Sequence, residues 1–165
     1  MPRRVLIVDD DPAIRASLAE ALSDDGITVT VAESGERALA LFEQAVPDVV
    51  LSDVRMPELD GLGLLETLRQ RAPSVDIILM TAFDDMPTVV AAMRGGAVEF
   101  LVKPLNLRQL RRVVDRVFDD RRSRRVAEPA PAIADDQLGE LVGRHPQMIE
   151  VYKLVGQAAA TRATV

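Results

Sequence analysis

Apolar residues come along this chain in short blocks of two alternating kinds. VLIV (Val5 to Val8) is apolar at every position, as a strand covered on both faces requires. The apolar residues then spread to helical spacing at Ile14, Leu18 and Leu22. Pro12 suits the first turn of that helix, where its missing N–H costs nothing, and Asp25-Gly26 ends the pattern. ITVTV (Ile27 to Val31) alternates apolar residues with threonine, which predicts a half-exposed edge strand. Ser34-Gly35 starts a second helix, with Leu39 and Phe42 among its apolar residues, and Pro47 stops it. VVL (Val49 to Leu51) is a third strand; a Gly-containing loop leads to a helix around Leu64, Leu65 and Leu68, closed off by Pro73. VDIILM (Val75 to Met80) predicts a fourth strand, Met86 to Arg94 a helix ended by Gly95-Gly96, and VEFLV (Val98 to Val102) a fifth strand. Asn106 caps a last helix.

The pattern is strand then helix, repeated. Helical connections of about a dozen residues imply parallel strands. Interior polar residues suit edge positions for the second strand (Thr28, Thr30) and the fifth (Glu99). The expected fold is therefore α/β, a five-stranded parallel sheet in the order 2-1-3-4-5, flavodoxin-like. Ligands of such sheets bind beyond the carboxyl ends of the strands. At those ends stand Asp9-Asp10, then Asp53, Thr81-Ala82 and Lys103-Pro104.

Composition narrows the picture. A chain of 165 residues fits one domain plus a remainder, and 48% apolar residues supply a core. A net charge of −6 argues against a whole-chain nucleic-acid binder, and the lack of cysteine excludes disulfides and thiolate-bound metals. No stretch is apolar enough to span a bilayer, so a cytoplasmic protein without a membrane partner is expected. Local charge matters more. Asp9, Asp10 and Asp11 follow VLIV directly, and like charges so close repel one another. Clustered carboxylates suit a hard divalent cation, and a site of few carboxylates suits Mg²⁺. Asp11 is explained by capping the helix at Pro12; Asp9 and Asp10 are expected to hold the metal. Asp53, on the neighbouring strand, is placed to attack a phosphoryl group and form an aspartyl phosphate. Lys103 as a point charge and Thr81 as a hydroxyl would stabilise the transferring group.

IVDDD, LSDVRMPELDG, ILMTAF and VEFLVKP, in that order and spacing, resemble the receiver domain of two-component response regulators. The resemblance covers residues 3–122. It implies a sensor histidine kinase as phosphoryl donor to Asp53. It implies that Asp10 ligates Mg²⁺ directly, that Asp9 acts through water, and that Asp53 and the backbone carbonyl of Arg55 complete the protein ligands. It further implies that Thr81 moves to the phosphate on activation, that Phe100 is an aromatic swinging inward behind it, and that Lys103-Pro104 often carries a cis bond. Pro57 and Gly61 shape the loop after Asp53. The same acids rule against a flavodoxin-like flavin binder, whose first loop is Ser/Thr/Gly-rich. They also rule against a haloacid-dehalogenase phosphatase, whose D-x-D-x-T pattern is absent here.

The remainder reads differently. RRSRR (Arg121 to Arg125) is expected as a solvated helix end, and AEPAPAIADD (Ala127 to Asp136) as a linker. LVGRHPQMIEVYKLVGQAAATRATV resembles the opening of the ATPase domain of NtrC-type sigma-54-dependent activators, whose Walker A loop does not occur here. The expected organisation is a receiver domain at 1–122, a linker at 123–138 and the start of a truncated AAA+ ATPase domain at 139–165. The chain would then be a regulatory phosphoacceptor without an ATPase motif of its own. Sigma-54 RNA polymerase and DNA would be reached only through missing domains; the alternative is a stand-alone receiver acting by protein contact. A homodimer through the Leu107–Phe118 helix is also expected. Leu107, Leu110, Val114 and Val117 form a seam there that Val113 and Phe118 widen beyond what one sheet needs.

Overall fold

Consecutive side chains of a strand point to opposite faces, so a strand apolar at every position needs cover on both. The computed structural model, which describes residues 3–23, 26–82 and 86–126, provides that cover. Strands β1 (Arg3–Val8), β2 (Ile27–Ala32), β3 (Val49–Asp53), β4 (Asp76–Ala82) and β5 (Glu99–Lys103) alternate with helices α1 (Pro12–Leu22), α2 (Gly35–Gln44), α3 (Gly61–Arg71), α4 (Met86–Arg94) and α5 (Leu107–Val126). All strand pairs are parallel and the order is β2-β1-β3-β4-β5, as the edge residues predicted. Val5, Ile7, Val49, Leu51, Ile78 and Met80 face α1 and α5; Leu6, Val8, Val50, Ile77 and Leu79 face the helices on the other side.

Helix starts follow the expected chemistry. Asp11 accepts from the amides of Ala13 and Ile14, Ser34 from Arg37, and Asn106 from Arg108 and Gln109. Asp60 caps α3 through the Gly63 amide, a cap the sequence pattern did not single out. Gly26 precedes β2 with φ 94°, a conformation open to glycine and costly for other residues. The third strand runs on to Asp53, past its expected end at Leu51, because pairing with β4 continues to Asp53 opposite Met80.

Two expectations need correction at α5. Its apolar seam is not in excess: Leu110, Val113, Val114, Val117 and Phe118 are all buried in the core, and Leu107 alone of that set is exposed. The sheet face is wide enough to take them all, so the surplus that argued for a dimer does not exist. RRSRR is not simply a solvated end either. Arg121 has only 12% of its side chain exposed and pairs with Asp48 and Asp76, while Arg124 pairs with Asp76. The helix also continues to Val126, across the expected boundary at residue 122. The readings of residues 127–165 lie outside the described residues. Among the described residues, no helix is long and apolar enough to cross a membrane.

The start of α3 presses directly on the end of β3. A Cβ added at Gly61 would stand 2.2 Å from the backbone oxygen of Asp53 and 2.8 Å from Val54 Cα, neither of which can swing away. Gly61→Ala is therefore expected to lower the free energy of unfolding by about 2–3 kcal/mol, the range for overpacking a tight site. Urea unfolding measures it, and an unchanged midpoint would mean that the loop yields freely.

Candidate functional site

Parallel strands deliver their carboxyl ends to one rim, and β1, β3, β4 and β5 are consecutive there. Asp9 follows β1, Asp53 closes β3, Thr81 is next to last in β4, and Lys103 closes β5. Lys103 lies between two acids, with Nζ 3.0 Å from Asp9 Oδ2 and 2.9 Å from Asp53 Oδ2. Asp9, Asp10 and Asp53 each offer a carboxylate oxygen within 4.8 Å of the others, and Asp10 is exposed while Asp9 and Asp53 are buried. The amide of Arg55 approaches Asp53 Oδ1 at 3.4 Å, a long contact. Thr81 is buried opposite Val102, and Ala82 lies in register with Lys103. Phe100 is half-buried in β5, and the Lys103-Pro104 bond is cis. Asp9, Asp10, Asp53, Thr81, Ala82 and Lys103 thus share one rim, whereas Phe100 lies three positions back along β5, opposite Leu79.

The electrostatics are those of a crowded site. Burial pushes the Asp53 carboxyl above its ordinary value; Lys103 opposes this by hydrogen bond and charge, and Asp9 adds to it. Burial works against the Lys103 ammonium, yet its hydrogen bonds to Asp53 and Asp9 hold it above the usual lysine value. One ammonium therefore compensates two buried carboxylates and leaves the exposed Asp10 beside them. Hard oxygen donors at this spacing fit a divalent cation, which would supply the missing positive charge.

Asp9 and Asp10 differ in how freely they can act. Every polar atom of Asp9 is engaged: its amide donates to Ala32 O, its carbonyl accepts from Arg15, Oδ1 accepts from the Asp11 amide, and Oδ2 accepts from Lys103. Asp9 is fixed in the wall, whereas Asp10 faces solvent. This fits Asp10 as the more available ligand and Asp11 as a helix cap. Sequence reasoning missed Arg15, whose Nη1 is 2.6 Å from the Asp9 carbonyl. The available signal was a basic residue on the first turns of the helix that leaves the acid pair. It also missed Ser52, whose buried hydroxyl donates to Asp53 O at 2.9 Å.

Residues 5–115 match the family model for the response regulator receiver domain. The chain is 35% identical over 159 residues to the DNA-binding transcriptional regulator NtrC of Klebsiella pneumoniae, covering 96% of this chain and 34% of that protein. It is 34% identical to the regulatory protein AtoC of Escherichia coli K12, covering 98% of this chain and 36% of that one. The chain thus spans about a third of the length of these curated relatives. Among solved structures, NtrX from Brucella abortus in complex with ADP superposes with a TM-score of 0.72 at 28% identity, over 80% of this chain and 31% of that one. The Vibrio cholerae chemotaxis protein CheY4 superposes with a TM-score of 0.67 at 32% identity, over 71% of this chain and 99% of that one.

If Lys103 is what makes the rim tolerable, its loss should be felt as stability. Lys103→Met leaves Asp9 and Asp53 buried without a counter-charge, and it is expected to cost about 3 kcal/mol in the presence of a chelator. A divalent cation at millimolar concentration should recover more stability in this variant than in the parent. Thermal unfolding with and without the cation reads both effects, and equal curves for the two proteins would remove Lys103 from this role.

Proposed function

The chain belongs to the response regulator receiver domain family, and from that premise we propose that Asp53 accepts a phosphoryl group from a sensor histidine kinase. The observation that carries the reading is the convergence on Asp53 of Lys103 at 2.9 Å and of the Asp9 and Asp10 carboxylates. An Asp53 carboxylate oxygen forms the new bond to phosphorus as the P–N bond to the kinase histidine breaks, and the leaving imidazole keeps the bonding pair. Asp10, Asp9, Asp53 and the Arg55 carbonyl are the residues that would hold Mg²⁺. When bound, the ion neutralises charge on the transferring group. Lys103 fixes the Asp53 carboxylate in place and presents an ammonium to the incoming phosphoryl oxygens. Thr81, two strand positions beyond Leu79 and beside the end of β3, supplies a hydroxyl to the phosphorylated state, with Phe100 responding behind it.

The wider role is a proposal as well. The transfer switches a transcription regulator of the NtrC type, acting on sigma-54-dependent promoters through an ATPase domain that residues 139–165 would open, after a linker that starts beyond the end of α5 at Val126. The relatives' names, which are those of transcriptional regulators, favour this over a stand-alone receiver. A homodimer fits the same reading only with a contact other than the buried seam of α5, since Leu107 is the residue of that seam left at the surface.

Two experiments test the chemistry. Incubation with acetyl phosphate and Mg²⁺ should add one phosphate to the chain by intact mass, and Asp53→Asn should add none; labelling that survives this change moves the acceptor elsewhere. In calorimetric titration, Asp10→Asn should weaken Mg²⁺ binding at least tenfold because a site with few protein ligands loses one. Asp11→Asn should bind nearly as the parent does, since Asp11 is engaged with the amides of α1. Equal weakening by the two changes would contradict the division between ligand and cap.

A further inference from the structure

Among the described residues, the buried polar or charged side chains are Asp9, Ser52, Asp53, Asp76, Thr81 and Glu99. Four of them build the rim. The other two are the first residues of β4 and β5, at the opposite edge of the sheet, and both hold arginines of α5. Arg124 Nη2 spans Asp76 Oδ1 and Oδ2 at 2.9 and 3.0 Å, and Arg121 Nη1 reaches Asp76 Oδ2 at 3.2 Å. Arg121 also donates to the Ser74 carbonyl, and its Nε lies 3.3 Å from Asp48 Oδ1. Arg116 pairs with Glu99.

Among the described side chains, the last apolar anchor of α5 is Phe118. The segment 119–126 reads DDRRSRRV, and a polar extension this short has little helical stability of its own. A buried carboxylate, for its part, is retained only where cations and hydrogen bonds satisfy it. Each need answers the other. We propose that Asp76 and Glu99 form a clamp that fixes residues 116–126 of α5 to β4 and β5 and so sets the direction in which the chain leaves the fold at Val126. The clamp arginines, Arg116, Arg121 and Arg124, all lie beyond residue 115, where the match to the family model ends. The two clamped strands are those whose far ends carry Thr81 and Lys103, so the departing helix is tied to the strands that build half of the rim. The inference stands whether or not Asp53 takes a phosphoryl group.

The full chain has no cysteine, so Gln70→Cys and Ser123→Cys, both at exposed positions, give a clean pair of spin labels. The Asp76 part of the clamp, which holds the stretch beyond Phe118, is removed with Asp76→Asn, Arg121→Gln and Arg124→Gln together, so that no buried carboxylate is left unpaired at the start of β4, while Arg116 stays on Glu99 and Asp48 keeps the Arg4 amide. With the clamp intact, a single narrow distance distribution is expected. Without it, the distribution should broaden, and amide exchange over 119–126 should rise at least tenfold while 107–118 keep their protection. A narrow distribution and unchanged exchange in the altered protein would overturn the proposal. So would a loss of protection spread evenly along α5, because the substitutions would then act on the whole helix rather than on its end.

Discussion

A single ammonium between two buried carboxylates is the interaction on which this molecule turns. Lys103 makes it possible for Asp9 and Asp53 to sit side by side out of water. It can do so because four parallel strands bring their ends together in consecutive order. The compensation is incomplete, since burial still holds Asp53 above its ordinary value and Asp10 adds another negative group nearby. An arrangement short of positive charge is one that a divalent cation and a transferring phosphoryl group can complete.

The rest of the sheet serves that arrangement. Two-sided burial of β1, β3 and β4 fixes their register, because a slip of one residue would exchange the faces of Val5, Leu6, Ile7 and Val8. Gly61 lets α3 start against the backbone of Asp53, and Arg15 ties the first turns of α1 back to Asp9. At the other edge, a second charge problem is met by different means. Asp76 and Glu99 find their counter-charges on α5, so the helix that leads out of the fold is held by ion pairs where its apolar stripe has run out.

Much of this was legible in the residues. Apolar blocks against spaced apolar residues gave the strands and helices, and Thr28, Thr30 and Glu99 placed the edges. The rim was legible because Asp9, Thr81 and Lys103 are each the first polar residue after an apolar block, with Asp10 and Asp53 one position further on. What escaped were interactions between distant segments. Nothing in RRSRR says that Asp76, some forty-five positions earlier, lies within reach. The width of the α5 stripe read as surplus because a sequence does not state how much of the sheet a helix covers; Val113 and Phe118 turned out to be core. Asp60 as a cap was hidden inside a loop whose glycines drew the attention.

The central claim is that the acids of the rim serve one of their number, Asp53. Borohydride reduction after treatment with acetyl phosphate and Mg²⁺ converts an aspartyl phosphate to homoserine, and peptide sequencing by mass spectrometry then reads the position. Homoserine at position 53 and nowhere else is the expected result. Homoserine at position 9 or 10, or none at any position, would contradict the account.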